Sequence, residues 1–139
     1  MRNLVFVLIV GLLYAACSPE VKRSDVAQLK GYWEIAYVEA PGQEKKEYKV
    51  NPMVDYFELK GGKGVRRKVM PQFDGTFIDA SLPEVVTAVD SANAVYLSFR
   101  TRYAKWSEQV LDVSENTLVL RNKQGIEYHY KKFEPFNIK

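Results

Sequence analysis

The sequence predicts an all-β protein, an antiparallel barrel or sandwich. Three observations predict it. From Leu29 onward apolar and polar residues alternate with a period of two, as in Trp33, Ile35 and Tyr37 set between Glu34 and Ala36. Alternation of this kind puts one face of a strand inward and the other toward water. β-Branched and aromatic residues, which suit a pleated, half-buried surface, crowd the same windows. Turn-forming clusters then separate the windows: Pro41-Gly42, Gly61-Gly62-Lys63-Gly64, Asp74-Gly75, Ser114-Glu115-Asn116 and Asn122-Lys123-Gln124-Gly125. A chain of 139 residues, 47% of them hydrophobic, holds one such domain.

The N-terminal stretch is of another kind. Met1-Arg2-Asn3 is a short, positive start, and Leu4 to Leu13 is an uncharged apolar run. A membrane-spanning helix needs about 20 such residues. This run is half as long, so residues 1–16 read as an export signal rather than as part of the fold. The run ends at Tyr14-Ala15-Ala16-Cys17, which resembles the lipobox of bacterial lipoproteins. The resemblance implies cleavage before Cys17, lipidation of its sulfur and a firm membrane anchor, since several acyl chains together hold where one does not. Residues 17–28 are short and polar beyond the Cys and suit a tether.

The folded part is expected over residues 29–139. A short helical turn is expected over Ser24–Lys30, capped by Ser24 or Asp25. Strands are expected at 31–39, 53–60, 64–70, 75–80, 83–89, 93–102, 106–113, 117–122 and 125–132. Asn51-Pro52 and Leu82-Pro83 mark strand entries, where proline is tolerated. Eight or nine short strands joined by tight turns leave a barrel or a sandwich open.

Composition removes several function classes. The net charge of +3, from 20 basic and 17 acidic residues, is too small for a domain built to grip nucleic acid. One Cys excludes an intramolecular disulfide and an all-Cys zinc site, and one His excludes a His-pair metal site. The glycines at 61–64 lack the Lys-Ser/Thr and helix of a phosphate loop and read as a hairpin turn. His129, on the polar side of its strand, reads as a surface histidine rather than as a base or ligand. Asp55, Asp74 and Asp79 read as solvated or turn-forming carboxylates rather than as a catalytic pair. No residue set for catalysis is evident, so no enzyme, cofactor or metal site is expected.

Two features invite a binding role. Lys60, Lys63, Arg66, Arg67 and Lys68 crowd one hairpin. The favoured reading is a solvated face; contact with anionic lipid or an acidic partner is the second. The third is an inward Arg67, which shares its strand face with Val65 and Val69 and would then need a carboxylate or a bound anion. Trp33, Tyr37, Phe57, Phe77, Phe99, Trp106, Tyr128 and Tyr130 all fall on plausible inward positions. An eight-stranded barrel is either filled by such side chains or leaves room for one small ligand.

Leu29-Lys30-Gly31-Tyr32-Trp33-Glu34-Ile35 resembles the opening of lipocalin-like domains, with their Gly-x-Trp on the first strand. The closing stretch, Trp106 to Leu111, Asn116 to Arg121 and Tyr128-His129-Tyr130-Lys131, is similar to the last three strands of the small lipocalin-like lipoproteins of bacterial envelopes. The resemblance implies an antiparallel eight- to nine-stranded lipocalin-like barrel. It implies that Trp33 closes one end, with a basic residue of a late strand over its ring. Arg121 is the candidate for that residue and Lys131 the second. The expected function is a non-enzymatic lipoprotein, anchored on the periplasmic side of the outer membrane, that binds or shields a small hydrophobic molecule. Its pocket would be lined by Tyr37, Phe57, Phe99 and Tyr128, with Arg67 as a polar contact. The alternative is a filled barrel that docks an envelope protein partner.

Overall fold

A computed structural model describes residues 20–135; the apolar leader and Cys17 lie outside the described residues. A 3-10 helix, Arg23–Leu29, precedes ten strands: β1 Gly31–Glu39, β2 Lys46–Glu47, β3 Val54–Lys60, β4 Lys63–Pro71, β5 Phe77–Asp79, β6 Glu84–Ser91, β7 Ala94–Arg100, β8 Lys105–Val113, β9 Thr117–Arg121 and β10 Glu127–Lys132. Eight of them run in the order β10-β9-β8-β7-β6-β4-β3-β1, and β10 pairs back onto β1 to close the ring. The structure is thus a barrel, not a sandwich. β2 and β5 are short appendages on β1 and β4. β2 escaped the sequence pattern because its two residues are both exposed and carry no alternation. The N-cap of the helix is Lys22 rather than Ser24 or Asp25. Asp25 serves from inside the first turn, where its carboxylate accepts the Lys22 backbone N–H at 2.8 Å.

Sequence period becomes packing along each strand. Val86 and Ala88 on β6, Val95, Leu97 and Phe99 on β7, Val110 and Val113 on β8, and Leu118 and Leu120 on β9 all face one continuous core. The β3–β4 hairpin turns through Gly61 and Gly62, with φ of 61° and 79°. Two successive positive φ values give the two-residue turn whose twist matches the flanking strands. At Gly64 the reason for glycine is space: a Cβ there would lie 1.8 Å from the Glu58 carbonyl oxygen.

The helix and Trp33 close the end of the barrel from which β1 starts. Val26, Leu29 and Trp33 are buried there, and the Trp33 indole N–H donates to the Leu29 carbonyl at 2.8 Å. The cation over the ring is not Arg121, nor Lys131, but Lys132, whose Nζ stands 4.4 Å from the ring centroid. Register explains the correction. Lys132 lies opposite Trp33 in the β1–β10 ladder, whereas Lys131 lies opposite Glu34 and Arg121 points outward to bond Gln109 at 2.8 Å. Gly31 then has its own reason: a Cβ there would approach Lys132 Nζ to 2.6 Å. Burial holds the Lys132 pKa below the ordinary lysine value.

Removing the indole should cost about 3–5 kcal/mol, the range of buried aromatic truncations. Urea denaturation of Trp33→Ala tests this. In the same assay Lys132→Met should be destabilised by about 0.5–2 kcal/mol, the scale of a cation–π contact. Arg121→Ala should stay within about 0.5 kcal/mol, as outward substitutions do. Equal losses at Lys132 and Arg121 would contradict the placement.

Candidate functional site

The barrel interior is not wholly apolar. Toward the end opposite the helix, Asp55, Arg66 and Glu108 are buried at 5%, 9% and 6% exposure. Arg66 projects inward from β4 and its Nε salt-bridges the Glu84 carboxylate, its direct neighbour on β6. Its guanidinium also lies 4.1 Å from the Phe99 centroid and 5.7 Å from that of Phe57. Burial works against the charge, but Tyr130, Asp55 and Glu84 together outweigh it, and the Arg66 pKa lies above its ordinary value. Asp55 is held by Lys68 Nζ at 3.1 Å and by the buried Tyr130 hydroxyl. Burial first, and the nearby Asp55 charge second, push the Tyr130 hydroxyl well above the usual phenol range.

Glu108 is the carboxylate left with least. Trp106, two residues earlier on the same face of β8, donates its indole N–H to Oε2 at 3.3 Å. Arg66 Nη1 stands at 3.8 Å, while its Nε is bonded to Glu84. Burial pushes the Glu108 pKa up, more than Arg66 and the Trp106 hydrogen bond pull it down.

This carboxylate opens onto a cleft of about 580 Å³ lined by Trp106, Glu108, Tyr128, Ser107, Lys105 and the turn at Asn122–Gln124. The ladder shows why the cleft is there. β9 pairs with β8 only from Gln109 onward, so residues 105–108 of β8 extend past the last β9 pair. The β9–β10 turn stands across that gap. Asn122 fixes it: Oδ1 accepts the Gln124 and Ile126 backbone N–H groups, each at 3.0 Å, and Nδ2 donates to the Tyr128 hydroxyl at 3.4 Å. Trp106 stacks on Phe99 with centroids 5.5 Å apart. One wall therefore rests on the core and the other on the turn.

Of the residues expected to line a pocket, only Tyr128 does so here. Phe57 and Phe99 are inward but fully buried, part of the filled core rather than a cavity wall. Tyr37 is outward. The β1–β10 register shifts between Ile35 and Tyr37, and such a bulge moves every later side chain to the other face. Tyr37 stacks on His129 at 4.1 Å on the outer surface. Phe77, likewise expected inside, stacks on Tyr32 at 3.9 Å outside. Arg67 is outward too, near Glu58 and Asp79 at 3.9 and 4.0 Å. Its neighbour Arg66 is the inward arginine. Val65 and Val69 pointed to the wrong face, because Val69 is buried opposite Val54 outside the core cluster. Asp55, read as solvated, is buried, whereas Asp74 does form a turn, accepting the Thr76 N–H and hydroxyl at 2.9 and 2.6 Å.

His129 is less exposed than expected, with 18% of its side chain accessible. Its Nε2 faces Glu127 at 3.3 Å and Glu39 at 3.8 Å. These three residues are where a divalent ion would find ligands among the described residues. The rim of the mouth carries exposed apolar side chains: Val50, Met53, Leu82 and Tyr103 at 84%, 45%, 80% and 85%.

No family model and no curated protein matches the chain. Solved structures do. A crystal structure of a lipocalin-like protein from Bacteroides uniformis superposes with a TM-score of 0.50 at 15% identity, covering 76% of this chain and 99% of that one. An uncharacterized protein from Bacteroides eggerthii superposes with the same score and coverage at 11% identity. At these identities the likeness is one of fold, and the fold is lipocalin-like.

The raised Glu108 pKa makes stability depend on pH. Folded Glu108 keeps its proton above the range in which the unfolded chain releases it, so the folded state binds more protons there. Stability from this group is full below the ordinary glutamate range and is lost as pH rises through the raised value. Urea denaturation from about pH 4 to pH 7, spanning that range, should show Glu108→Gln gaining steadily on the parent as pH rises. A gap that moves the other way would mean that Arg66 holds the carboxylate ionised.

Proposed function

We propose that the protein is a non-enzymatic binding protein, tethered to an envelope membrane through lipidated Cys17, that takes a small hydrophobic molecule at the open end of its barrel. The observation that carries the reading is the cleft between β8 and the β9–β10 turn. It is walled by the Trp106 and Tyr128 rings, and Glu108, Ser107, Lys105 and the Asn122–Gln124 turn set polar groups around them. The lipocalin-like fold supports the same reading, and the lipobox-like Tyr14-Ala15-Ala16-Cys17 supports the anchor. A second reading has one observation in its favour. The rim residues Val50, Met53, Leu82 and Tyr103 are exposed apolar side chains that suit contact with an envelope protein partner.

An environment-sensitive apolar dye tests the site. The parent should bind it, and Gln124→Trp, a large ring placed on an exposed turn position that lines the cleft, should lose binding with its melting temperature unchanged. Val95→Phe, at a filled core position, should instead overpack and cost about 1–3 kcal/mol. Dye binding that survives Gln124→Trp would remove the cleft as the site; binding lost on substitution at the rim would favour the partner surface. For the anchor, Cys17→Ala should abolish fatty-acid labelling and membrane attachment in cells. Equal labelling of parent and variant would overturn it.

A further inference from the structure

The interior charges do not balance. At this end Asp55, Glu84 and Glu108 supply three buried or half-buried carboxylates; Arg66 is the buried cation, and Lys68, with half of its side chain exposed, reaches Asp55 from the rim. The pairings divide unevenly. Lys68 holds Asp55 at 3.1 Å, and Arg66 gives its Nε to Glu84 and turns only the more distant Nη1 toward Glu108. Glu108 is left with a single indole N–H at 3.3 Å and a guanidinium at 3.8 Å. It is also the one carboxylate of the three that lines the cleft, with 7% of its side chain exposed. A buried carboxylate with an incomplete set of partners must either take up a proton or receive a cation.

The walls of the cleft suit the second. The Trp106 and Tyr128 rings line it, and a cation over an aromatic face is attracted most strongly where water is excluded. Lys105 and Lys123 stand at the lip, both exposed, where solvent and salt screen them. Glu108 lies beneath, screened far less.

We propose that the ligand of this cleft is an organic cation: an ammonium group seated against Glu108 between Trp106 and Tyr128, carried on an apolar or aromatic body that fills the remaining volume. This rests on the cleft being the binding site and names the class of molecule it takes. The ligand's charge completes the interior balance in place of the Glu108 proton, so binding should release about one proton at a pH where the free carboxyl still holds it.

Three probes of similar size and shape separate the class from the site: 2-phenylethylamine, 3-phenylpropanol and 3-phenylpropionate. Each is titrated into the full chain by calorimetry, with quenching of tryptophan fluorescence as a second readout. The amine should bind at least about tenfold more tightly than the alcohol, equivalent to ~1.4 kcal/mol. The propionate should bind more weakly than either. Glu108→Gln should remove the preference for the amine and leave the alcohol unchanged. Should the variant fail to fold, the ranking of the three probes on the parent chain still decides. Alcohol or propionate binding as well as or better than the amine would overturn the cationic class while leaving the cleft as the site. Failure of all three probes and of the apolar dye would overturn the cleft and the class with it.

Discussion

Closure of β1 onto β10 is the constraint on which the rest of the structure depends. It removes the last free sheet edges of the eight-strand ring, so every ring strand has a partner on both sides and none offers a long open template for aggregation. It also sets the register that lays Lys132 opposite Trp33, and so decides which cation covers the indole. The bulge between Ile35 and Tyr37 belongs to the same ladder. Before it, Trp33 and Ile35 feed the core; after it, Tyr37 joins His129 on the outside. One irregularity in one pair of strands thereby divides β1 into a core-building half and a surface half.

Within the closed ring, two ends do different work. The helix end is apolar and sealed, with the Trp33 N–H satisfied by Leu29. The mouth end holds a guanidinium and three carboxylates under a roof of aromatic rings. Burying such a group of charges is tolerated only where each finds partners, and truncating one leaves the others exposed to the full desolvation cost. Its value is therefore not best sought in stability. Arg66 stands 4.1 Å from the Phe99 centroid and Trp106 stacks on that same ring, which links the polar network to the cleft wall.

The sequence made the strands legible nearly residue by residue, because alternation and turn chemistry are local properties. Trp33 was legible for the same reason, since Gly31-Tyr32-Trp33 opens the first strand. The faces of individual residues were harder. A period-two pattern identifies a face only up to the next bulge, which is why Tyr37 was misplaced. In β4 the inward residues Gly64, Arg66 and Lys68 contain nothing large and apolar, so Val65 and Val69 drew attention to the opposite face. Long-range register was not legible at all: nothing near Lys132 announces that it will lie over an indole about a hundred residues away. Glu108 did leave a trace. It sits between Trp106 and Val110 at the period of one strand face, and a carboxylate on an otherwise apolar face is a signal in its own right.

Asn122 has a consequence for the speed of exchange. Its side chain holds the β9–β10 turn by two backbone hydrogen bonds and steadies the Tyr128 hydroxyl by a third. The opening beside β8 is thus built before anything enters it, and little chain entropy remains to be lost on occupancy. Nor must any ladder be parted for entry, since the unmatched end of β8 already leaves the way open. For a molecule bound as proposed, arrival at such a doorway would be limited by encounter rather than by breathing of the barrel, and residence time would be left to the contacts inside.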